Sequence, residues 1–446
     1  MSQYAPSGAL FTDLYQLTMA QAYLRSGQTD VATFSLFVRN LPSNRGYLLF
    51  AGLENLIDYL ENLRFTDEDI NYLRSTKQFG EDFIEYLSGF NFEGNVRAMD
   101  EGTPFFANEP VVEVTAPVIQ GQIVETYLLN QVNMQSLFTS KAARIVHAAS
   151  GADVVDFASR RAHGTDAANK FARASYIGGF AGTSNVRAGA LYGLPTIGTM
   201  AHAFITSFNS EIDAFRAYAE AFPDTTTLLV DTYDTLKGVD AAITVAHELE
   251  SKGHRLVGVR LDSGDLSKLA SIIRGMLDDA GLPFVQIVAS GGLDEFSIDS
   301  LVKSGAPINA YGVGTKAGVS ADAPWSDAVY KQVAYSGNYV AKLGMGKATL
   351  PGPKQVWRCY KKDDHKILHD HLTSADAEPP ESDATPLLSE MLRNGNRLGS
   401  APSLESVRER VRYEISRLHE STRNLSGPDT VSVMVSAALT SWRPKP

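Results

Sequence analysis

The chain has 446 residues, of which 44% are hydrophobic and 20% charged, values typical of a globular protein that buries a large core. Its formal net charge of −11 argues against a general binder of nucleic acid or anionic membranes, although local basic pockets for phosphate stay possible. Cys359 is the single cysteine, which excludes an intrachain disulfide and a four-ligand zinc site built from thiols.

The start of the chain lacks the features of an exported protein. No Lys or Arg precedes Arg25, so there is no basic signal-peptide start, and no apolar run approaches the roughly 20 residues that a membrane helix needs. We therefore expect a soluble cytoplasmic protein. At roughly 150 residues per domain, the length suggests two or three domains.

The first domain, residues 1–118, is predicted to be an α+β domain with an antiparallel sheet. Apolar spacing typical of amphipathic helices indicates its helices, and short runs of β-branched and aromatic residues indicate its strands. The predicted helices are 12–26, 52–63 and 79–87, and the predicted strands are 31–38, 96–99, 104–106 and 111–114.

A long helical pattern at 119–149 opens the second domain, 119–327, in which strands and helices alternate. Such alternation predicts a parallel sheet. The seven predicted strands are DVVDF (153–157), IGGFAG (177–182), PTIGT (195–199), TTLLVD (226–231), RLVGVRLD (255–262), FVQIVASGG (284–292) and INAYGVGT (308–315), and the clearest helices are 211–221, 238–252, 266–280 and 294–304.

Two architectures have this alternation, a βα barrel and an open, doubly wound sheet. Polar and glycine residues follow nearly every predicted strand. In a barrel all strand ends converge on one mouth, whereas in an open sheet only those beside the switch point face a ligand. We therefore predict a barrel of about seven strands with an active site for a phosphorylated substrate at their carboxyl ends.

The third region, residues 328–446, returns to strands, which we expect to rejoin the sheet of the first domain. The stretch 373–385 is acidic and proline-rich and is predicted to be an exposed linker. A charged amphipathic helix is predicted at 404–419, in a helical C-terminal tail. The returning strands are VYKQVAY (329–335), NYVAKL (338–343) and KQVWRCY (354–360).

Three of the earlier strand ends carry candidate site residues with ordinary alternatives. Arg160 has the forked guanidinium suited to carboxylate or phosphate, although an exposed ion pair is the commoner role for two adjacent arginines. Ser184 and Asn185 could hold an anion at a helix N-terminus or simply cap that helix. His202 could be a base, a metal ligand or a phosphoryl acceptor, although a structural histidine is the commoner case.

The next two strand ends are acidic. TTLLVD ends in Asp231, and Arg260 and Asp262 lie two residues apart on the following strand. Side chains two apart on a strand point to the same side, so this pair can hold an anion with one member and a metal or hydroxyl with the other. Asp265 fits better as the cap of the helix that follows.

The last two strands end in glycine-rich turns. This pairing matches the usual phosphate site of a barrel, where exposed backbone amides bind phosphate without positive charge. Lys316 follows directly, so a barrel aldolase or isomerase that uses a lysine stays an alternative at this point. The predicted phosphate-binding residues are Ser290, Gly291, Gly292, Gly312, Gly314 and Thr315.

Seven motifs, in order, closely resemble those of bacterial nicotinate phosphoribosyltransferases, in the type II phosphoribosyltransferase group. Together they are highly specific, although no single one would be. They are TDLYQLTM (12–19), DFASRRAHG (156–164), GTSN (182–185), GTMAHAF (198–204), LLVDTYDT (228–235), VRLDSGDL (259–266) and GVGT (312–315).

The resemblance implies an enzyme that condenses nicotinate with phosphoribosyl pyrophosphate to nicotinate mononucleotide and pyrophosphate. It also implies coupled ATP hydrolysis through a phosphohistidine, Mg²⁺ as cofactor, an irregular and incomplete barrel, and a homodimer with a shared active site. His202 matches the phosphorylated histidine and Phe157 the ring stacked on the pyridine. Tyr15 matches the opposing aromatic ring from the neighbouring subunit. Arg160 and Arg260 match arginines that contact phosphate or carboxylate.

The remaining matches concern charge and phosphate. Asp231 and Asp262 match acids near the ribose, the histidine and magnesium, and 290–292 with 312–314 match the 5′-phosphate cradle. Ser184 stands where nicotinamide-specific relatives carry an aspartate, and a neutral hydroxyl there favours the nicotinate carboxylate. The alternatives are nicotinamide or quinolinate as substrate, a sugar-phosphate aldolase or isomerase, and a non-catalytic nucleotide sensor.

Overall fold

The computed structural model describes residues 8–342 and 349–442, and the chain divides into two compact units. One unit comprises Met1–Ser140 with Ala323–Pro446, and the other is Lys141–Asp322. The division therefore falls inside the long helix that we predicted at 119–149, and the third region of the sequence belongs to the first unit.

The elements follow one another in this order along the first part of the chain: α1 (Leu14–Ser26), β1 (Val31–Val38), β2 (Leu48–Leu49), α2 (Leu53–Asn62), α3 (Asp67–Ser75), α4 (Glu81–Ser88), β3 (Asn95–Met99), β4 (Pro104–Phe105), β5 (Pro110–Pro117), α5 (Val118–Ile123) and α6 (Glu125–Ala149). The predicted long helix is thus two helices, α5 and α6, separated at Val124.

The second unit carries β6 (Asp153–Asp156), α7 (Thr165–Ile177), β7 (Gly182–Thr183), α8 (Val186–Tyr192), α9 (His202–Ile205), α10 (Glu211–Ala221), β8 (Thr227–Leu229), α11 (Thr235–Ser251), β9 (Gly258–Leu261), α12 (Leu266–Asp279), β10 (Gln286–Ala289), α13 (Glu295–Lys303), β11 (Ala310–Val313) and α14 (Thr315–Gly318). The remainder of the first unit carries β12 (Ala328–Tyr335), β13 (Asn338–Tyr339), β14 (Lys354–Tyr360), β15 (Ile367–Ser374), β16 (Thr385–Pro386), β17 (Leu388–Arg393), β18 (Asn396–Arg397), α15 (Leu404–Arg417), α16 (Glu420–Arg423), β19 (Ser432–Val435) and α17 (Ala437–Thr440).

The first unit is built on an antiparallel sheet of seven strands, in the order β13-β12-β1-β5-β3-β17-β18. Strand β1 is an inner strand, between β12 and β5, and every residue of it after Val31 is buried, which explains its nearly continuous apolar sequence. Its Phe34 ring stacks on Tyr330 of β12, with 4.9 Å between the ring centroids. A strand that follows the second unit in the sequence therefore completes the core formed by the N-terminal residues.

The prediction for the third region is right for its first strand and wrong for its last. Strand β12 joins the first sheet, but KQVWRCY forms β14 of a separate four-stranded sheet, in the order β16-β14-β15-β19. Most of the stretch 373–385 is exposed, as predicted, and it connects β15 to β16 within this sheet. The C-terminal tail also contributes β19, and Leu343 of the predicted NYVAKL strand lies outside the described residues.

The second unit is built on a parallel sheet in the order β7-β6-β11-β10-β9-β8, which confirms the α/β prediction. Of the strands in this sheet, β6 comes first along the chain and β11 last, and the two pair with each other as the first and last strands of a barrel do. Thr183 at the β7 edge is bridged to Thr196. Among the described residues no ladder joins Thr196 to β8, so closure into a barrel stays a prediction.

Two of the seven predicted parallel strands are nearly absent. In IGGFAG, helix α7 extends to Ile177 and only Gly182–Thr183 is extended, because Gly178 and Gly179 end the helix and form a turn. In PTIGT only the bridge at Thr196 is formed. Within residues 8–342 and 349–442, no helix has the length and apolar character to span a membrane.

Candidate active site

The carboxyl end of β6 begins the candidate site with a buried carboxylate. Asp156 is fully buried and accepts hydrogen bonds from the backbone N–H of Ala158 at 2.7 Å and from Thr183 Oγ1 at 2.6 Å. Burial raises the pKa of Asp156 to about 6, although the two hydrogen bonds oppose that shift. Asp156 therefore ties the turn that carries Phe157 to strand β7.

Arg260 is the centre of the site. Its guanidinium donates to Ser290 Oγ at 2.8 Å, Thr199 Oγ1 at 2.8 Å, the Met200 carbonyl at 3.2 Å and Asp262 Oδ1 at 2.7 Å. The side chain is only 12% exposed. Four partners in fixed directions leave a guanidinium little freedom to rotate, so Arg260 is preorganised at the strand ends.

Phe157 lies beside this arginine. The guanidinium carbon of Arg260 is 5.3 Å from the centroid of the Phe157 ring, within the range of a cation–π interaction. Strand β11 passes under the ring at Gly312, where an added Cβ would lie 2.4 Å from a ring carbon. A glycine at this position is thus what allows the aromatic ring to lie flat across the strand end.

Asp262 is held in its charged form. Partial burial acts to raise the pKa of Asp262, but hydrogen bonds from Ser290 Oγ (2.6 Å) and Arg260 outweigh it, and the pKa is lowered, with further help from the charges of Arg260 and His202. The contact between Arg260 and Asp262 fits the sequence argument that two residues on one strand, two apart, share a side.

His202 opens the short helix α9, and its Nδ1 is 3.1 Å from Thr232 Oγ1. Thr232 immediately follows Asp231, whose Oδ2 accepts from the Asp262 N–H at 3.0 Å and from Ser263 Oγ at 2.5 Å. The histidine and the two predicted acids are therefore linked through neighbouring residues on the ends of β8 and β9.

Glu211 is a member of this acidic group that the sequence analysis missed. Burial raises the pKa of Glu211, and the charges of Asp231 and Asp234 raise it further. Glu211 Oε1 and Asp231 Oδ1 are both buried without a hydrogen-bond partner within the described residues. In the sequence Glu211 is simply the first residue of a predicted helix, where an acid is common, so nothing local distinguishes it.

The turn after β10 brings together backbone amides rather than charges. Gly291 has φ +95°, and an added Cβ would lie 2.0 Å from the Asp262 carbonyl oxygen, so only glycine fits. Gly292 also has a positive φ, of +67°. In the described part of the chain, the N–H groups of Gly291 and Gly292 donate no hydrogen bond, which leaves them available to an anion.

The other predicted residues lie further from this cluster or are more exposed. Arg160 and Ser184 are exposed, and the Ser184 N–H donates to the Asp156 carbonyl at 2.8 Å. Thr315 is exposed at the start of α14. Lys316, the lysine of the aldolase alternative, is ion-paired with Asp294 at 2.7 Å. Tyr15 belongs to the first unit, where it is 48% exposed.

Three family descriptions match the chain in succession: the nicotinate phosphoribosyltransferase N-terminal domain at residues 10–133, the nicotinate phosphoribosyltransferase family at 152–334, and the corresponding C-terminal domain at 380–443. The chain belongs to the nicotinate phosphoribosyltransferase family. This membership confirms the resemblance carried by the seven motifs.

Relatives across wide distances agree with the nicotinate phosphoribosyltransferase assignment. The chain is 48% identical to nicotinate phosphoribosyltransferase pncB2 of Mycobacterium tuberculosis over 94% of this chain and 89% of that protein. It is 44% identical to the Bacillus subtilis nicotinate phosphoribosyltransferase, over 83% and 77% of the two chains. The crystal structure of human nicotinic acid phosphoribosyltransferase superposes with a TM-score of 0.88 at 32% identity, covering 96% and 98% of the two chains.

Thr199 and Met200 are further site residues, which lie within the GTMAHAF motif but to which the sequence assigns no role. They hold one end of the Arg260 guanidinium, although they lie about 60 positions before it in the sequence. PTIGT was read as a strand, and an irregular segment folds these two residues toward Arg260 instead. The motif does not reveal their contact with Arg260, because that partner is set by the sheet order.

Asp156 makes the stability of the folded chain depend on pH in a predictable direction. Because its folded pKa of about 6 is above the ordinary value of 3.8, it favours folding when protonated and loses that contribution as the pH rises through 6. Asp156→Asn keeps both hydrogen-bond partners. We expect the free energy of unfolding of this variant, relative to the parent, to rise by roughly 2–3 kcal/mol between pH 4 and 7 in denaturant titrations.

Asp153→Asn is the matched control, since Asp153 is exposed at the other end of β6. It should leave the pH dependence of unfolding as in the parent chain. If Asp156→Asn and the parent lose stability in parallel from pH 4 to 7, the buried carboxylate is not the group that titrates.

Proposed function

We propose that this chain joins nicotinate to 5-phosphoribosyl 1-pyrophosphate, giving nicotinate mononucleotide and pyrophosphate for NAD biosynthesis by salvage. The observation that carries the proposal is the cluster at the strand ends, where Arg260 lies beside the Phe157 ring and Arg260, Asp262 and Ser290 are hydrogen-bonded to one another. An aromatic ring beside a fixed guanidinium suits a flat aromatic acid, and the neighbouring glycine turn suits a phosphate.

The pyridine is held by aromatic rings in this proposal. Phe157 supplies one face, and Tyr15 of a second copy of the chain supplies the other. Tyr15 is exposed beside two further exposed apolar side chains, Phe11 and Leu14, and such a patch is typical of a protein interface. A homodimer with a shared site follows, in which the ring nitrogen is oriented toward ribose C1.

The chemistry at C1 needs charge stabilisation more than proton transfer. The bond from C1 to the pyrophosphate oxygen breaks with its electron pair on oxygen, and the lone pair of the pyridine nitrogen forms the new bond to C1. No general base is needed, because that nitrogen carries no proton. Arg260 and the exposed Arg160 stabilise the departing negative charge, and the amides of Gly291 and Gly292 hold the 5′-phosphate.

Mg²⁺ fits the acidic side of the cluster. It prefers carboxylate oxygens, and the buried Asp231 Oδ1 and Glu211 Oε1 have no hydrogen-bond partner within the described residues. We therefore assign Asp231, with Glu211, ahead of Asp262, whose Oδ1 is already bonded to Arg260 and Ser290. When bound, the ion neutralises charge on the phosphate groups.

ATP acts through His202 in the proposed cycle. In the tautomer whose Nδ1–H donates to Thr232 Oγ1, Nε2 carries a free lone pair that attacks the terminal phosphorus of ATP, and ADP leaves with the electrons of the broken P–O bond. Water later cleaves the P–N bond and restores the imidazole. The added charge at the start of α9 orders the adjacent segments and couples ATP hydrolysis to the synthesis of the nucleotide.

Product analysis tests the whole proposal. The purified chain is incubated with 5-phosphoribosyl 1-pyrophosphate, ATP and Mg²⁺ and with nicotinate, nicotinamide or quinolinate in parallel. We expect nicotinate mononucleotide and pyrophosphate in equal amounts from nicotinate, and far less product from the other two. Preferential turnover of nicotinamide or quinolinate, or no nucleotide at all, would overturn it.

Ser184 is expected to set the preference between the acid and the amide. Ser184→Asp places a negative charge where the carboxylate of nicotinate is expected, so we predict a rise in KM for nicotinate on the order of 10- to 100-fold and a shift of preference toward nicotinamide. Ser184→Asn, of similar size and neutral, should keep the preference for nicotinate. Equal behaviour of the two variants in steady-state assays would remove Ser184 from the specificity site.

A further inference from the structure

A thiol, an imidazole and a carboxylate meet in the first unit, on the four-stranded sheet. Cys359 lies on β14, His369 on β15, and Glu381 in the connection from β15 to β16. One possible ligand atom from each lies within 4.8 Å of the other two. In residues 8–342 and 349–442, no other group of three such side chains converges in this way.

The strand register explains why these side chains face one another. Cys359 and His369 are direct cross-strand partners in an antiparallel pair, so they project from the same face of the sheet. The intervening Asp370 projects from the opposite face, where it is fully buried against Arg358 with contacts of 2.6 and 2.9 Å. His371, two residues after His369, returns to the face of Cys359.

Two imidazole nitrogens in and beside this cluster are buried without a hydrogen-bond partner within the described residues. Nε2 of His369 is buried and has no hydrogen-bond partner within the described residues, although Oε1 of Glu381 lies 3.4 Å away. Nδ1 of His371 is likewise buried without a partner, and its ring lies 5.7 Å from that of His369. Burying polar nitrogens in this way is costly, so each calls for a ligand.

We propose that Cys359, His369 and Glu381 form a binding site for a divalent thiophilic cation, of which zinc is the best match. Zinc takes thiolate, imidazole and carboxylate ligands in a tetrahedron, and two donors about 2.0–2.1 Å from a tetrahedral ion lie about 3.3–3.4 Å apart. The separation of 3.4 Å between His369 and Glu381 is already that of a tetrahedral edge. The fourth position falls to water.

The cation fastens an exposed stretch of chain to a buried strand pair. Cys359 is 1% exposed, whereas Glu381 belongs to the acidic, proline-rich connection of residues 375–384, most of which is exposed. Closing this loop onto β14 through a metal reduces the freedom of the connection in the same way as a cross-link. The site is structural, and none of its three ligands is a residue of the proposed reaction.

Metal analysis of the full chain, with any affinity tag removed, tests the site. After equimolar ZnCl₂ and gel filtration, we expect about one zinc per chain by mass spectrometry. Co²⁺ in place of zinc should give tetrahedral visible bands and a near-ultraviolet band from thiolate ligation. Cys359→Ser should lose the thiolate band, and His365→Asn, on the same hairpin but exposed at φ +54°, should keep it.

Folding of the variants is followed by circular dichroism. If Cys359→Ser does not fold, Glu381→Gln replaces it as the variant that tests the site. Since Glu381 is half exposed, that variant should fold and release zinc to a chelator faster than the parent chain. Absence of bound zinc in the parent chain, or a cobalt spectrum without a thiolate band, would overturn the proposal. These readouts do not depend on catalytic activity.

Discussion

His202→Ala is expected to abolish the phosphate label that the parent chain acquires from ATP labelled in its terminal phosphate. The ratio of nucleotide synthesis with ATP to that without ATP should fall to one, and kcat/KM for the phosphoribosyl substrate in the presence of ATP should fall on the order of 10- to 100-fold. The reason is that Nε2 of His202 is the proposed acceptor, held in place through Nδ1 by Thr232.

Two control variants test whether the effect is specific to the imidazole of His202. His247→Ala removes an exposed histidine on α11, whose partner is Glu250, and should keep both the label and the stimulation by ATP. Thr232→Val keeps the imidazole but removes its hydrogen bond, so labelling should be slower rather than absent. If His202→Ala retained stimulation by ATP, the coupling role of this histidine would be wrong.

Arg260→Lys is expected to lower kcat/KM on the order of 10²- to 10³-fold, the usual effect of losing a preorganised donor to a developing negative charge. Lysine keeps the charge but cannot reach Ser290, Thr199 and Asp262 at once, as the fork of the guanidinium does. It also loses the planar contact with the Phe157 ring, so KM for nicotinate should rise together with the fall in kcat.

Arg255→Lys is the matched control for Arg260→Lys. Arg255 precedes the same strand, β9, and its guanidinium lies 4.9 Å from the Phe284 ring centroid, but it is exposed and lies before the start of the strand rather than at its carboxyl end. Both variants should melt near the parent temperature, and only Arg260→Lys should lose activity. Equal losses in the two variants would mean that a general weakening of β9 is responsible.

Much of the fold could be predicted because buried strands and helices have a characteristic local pattern of apolar residues. Strand β1, buried along nearly its whole length, has an apolar sequence that matches its observed bounds of Val31–Val38. Prediction failed where strand-like composition did not decide whether a strand forms or which strand it pairs with. PTIGT has strand composition but only one bridged residue, Thr196, and KQVWRCY was assigned to the wrong sheet, since a strand's sequence does not name its partner.

The candidate site was likewise predictable in its local features and not in its long-range contacts. The sequence by itself determined that Arg260 and Asp262 share one side of a strand, and that Gly291 and Gly312 belong to the glycine-rich ends of the last two strands. The seven motifs also determined the family. These features follow from spacing along the chain, because the geometry of a strand fixes the direction of each side chain.

Only the tertiary structure decided which distant residues complete these local arrangements. It brought Thr199 into hydrogen-bond contact with Arg260, and it placed Glu211 near enough to Asp231 for the charge of Asp231 to raise the pKa of Glu211. It also set Cys359 beside His369 through the register of β14 and β15. The physical reason is that such contacts depend on the order of strands and the course of loops, which are selected by packing of the whole core and leave no period in the sequence.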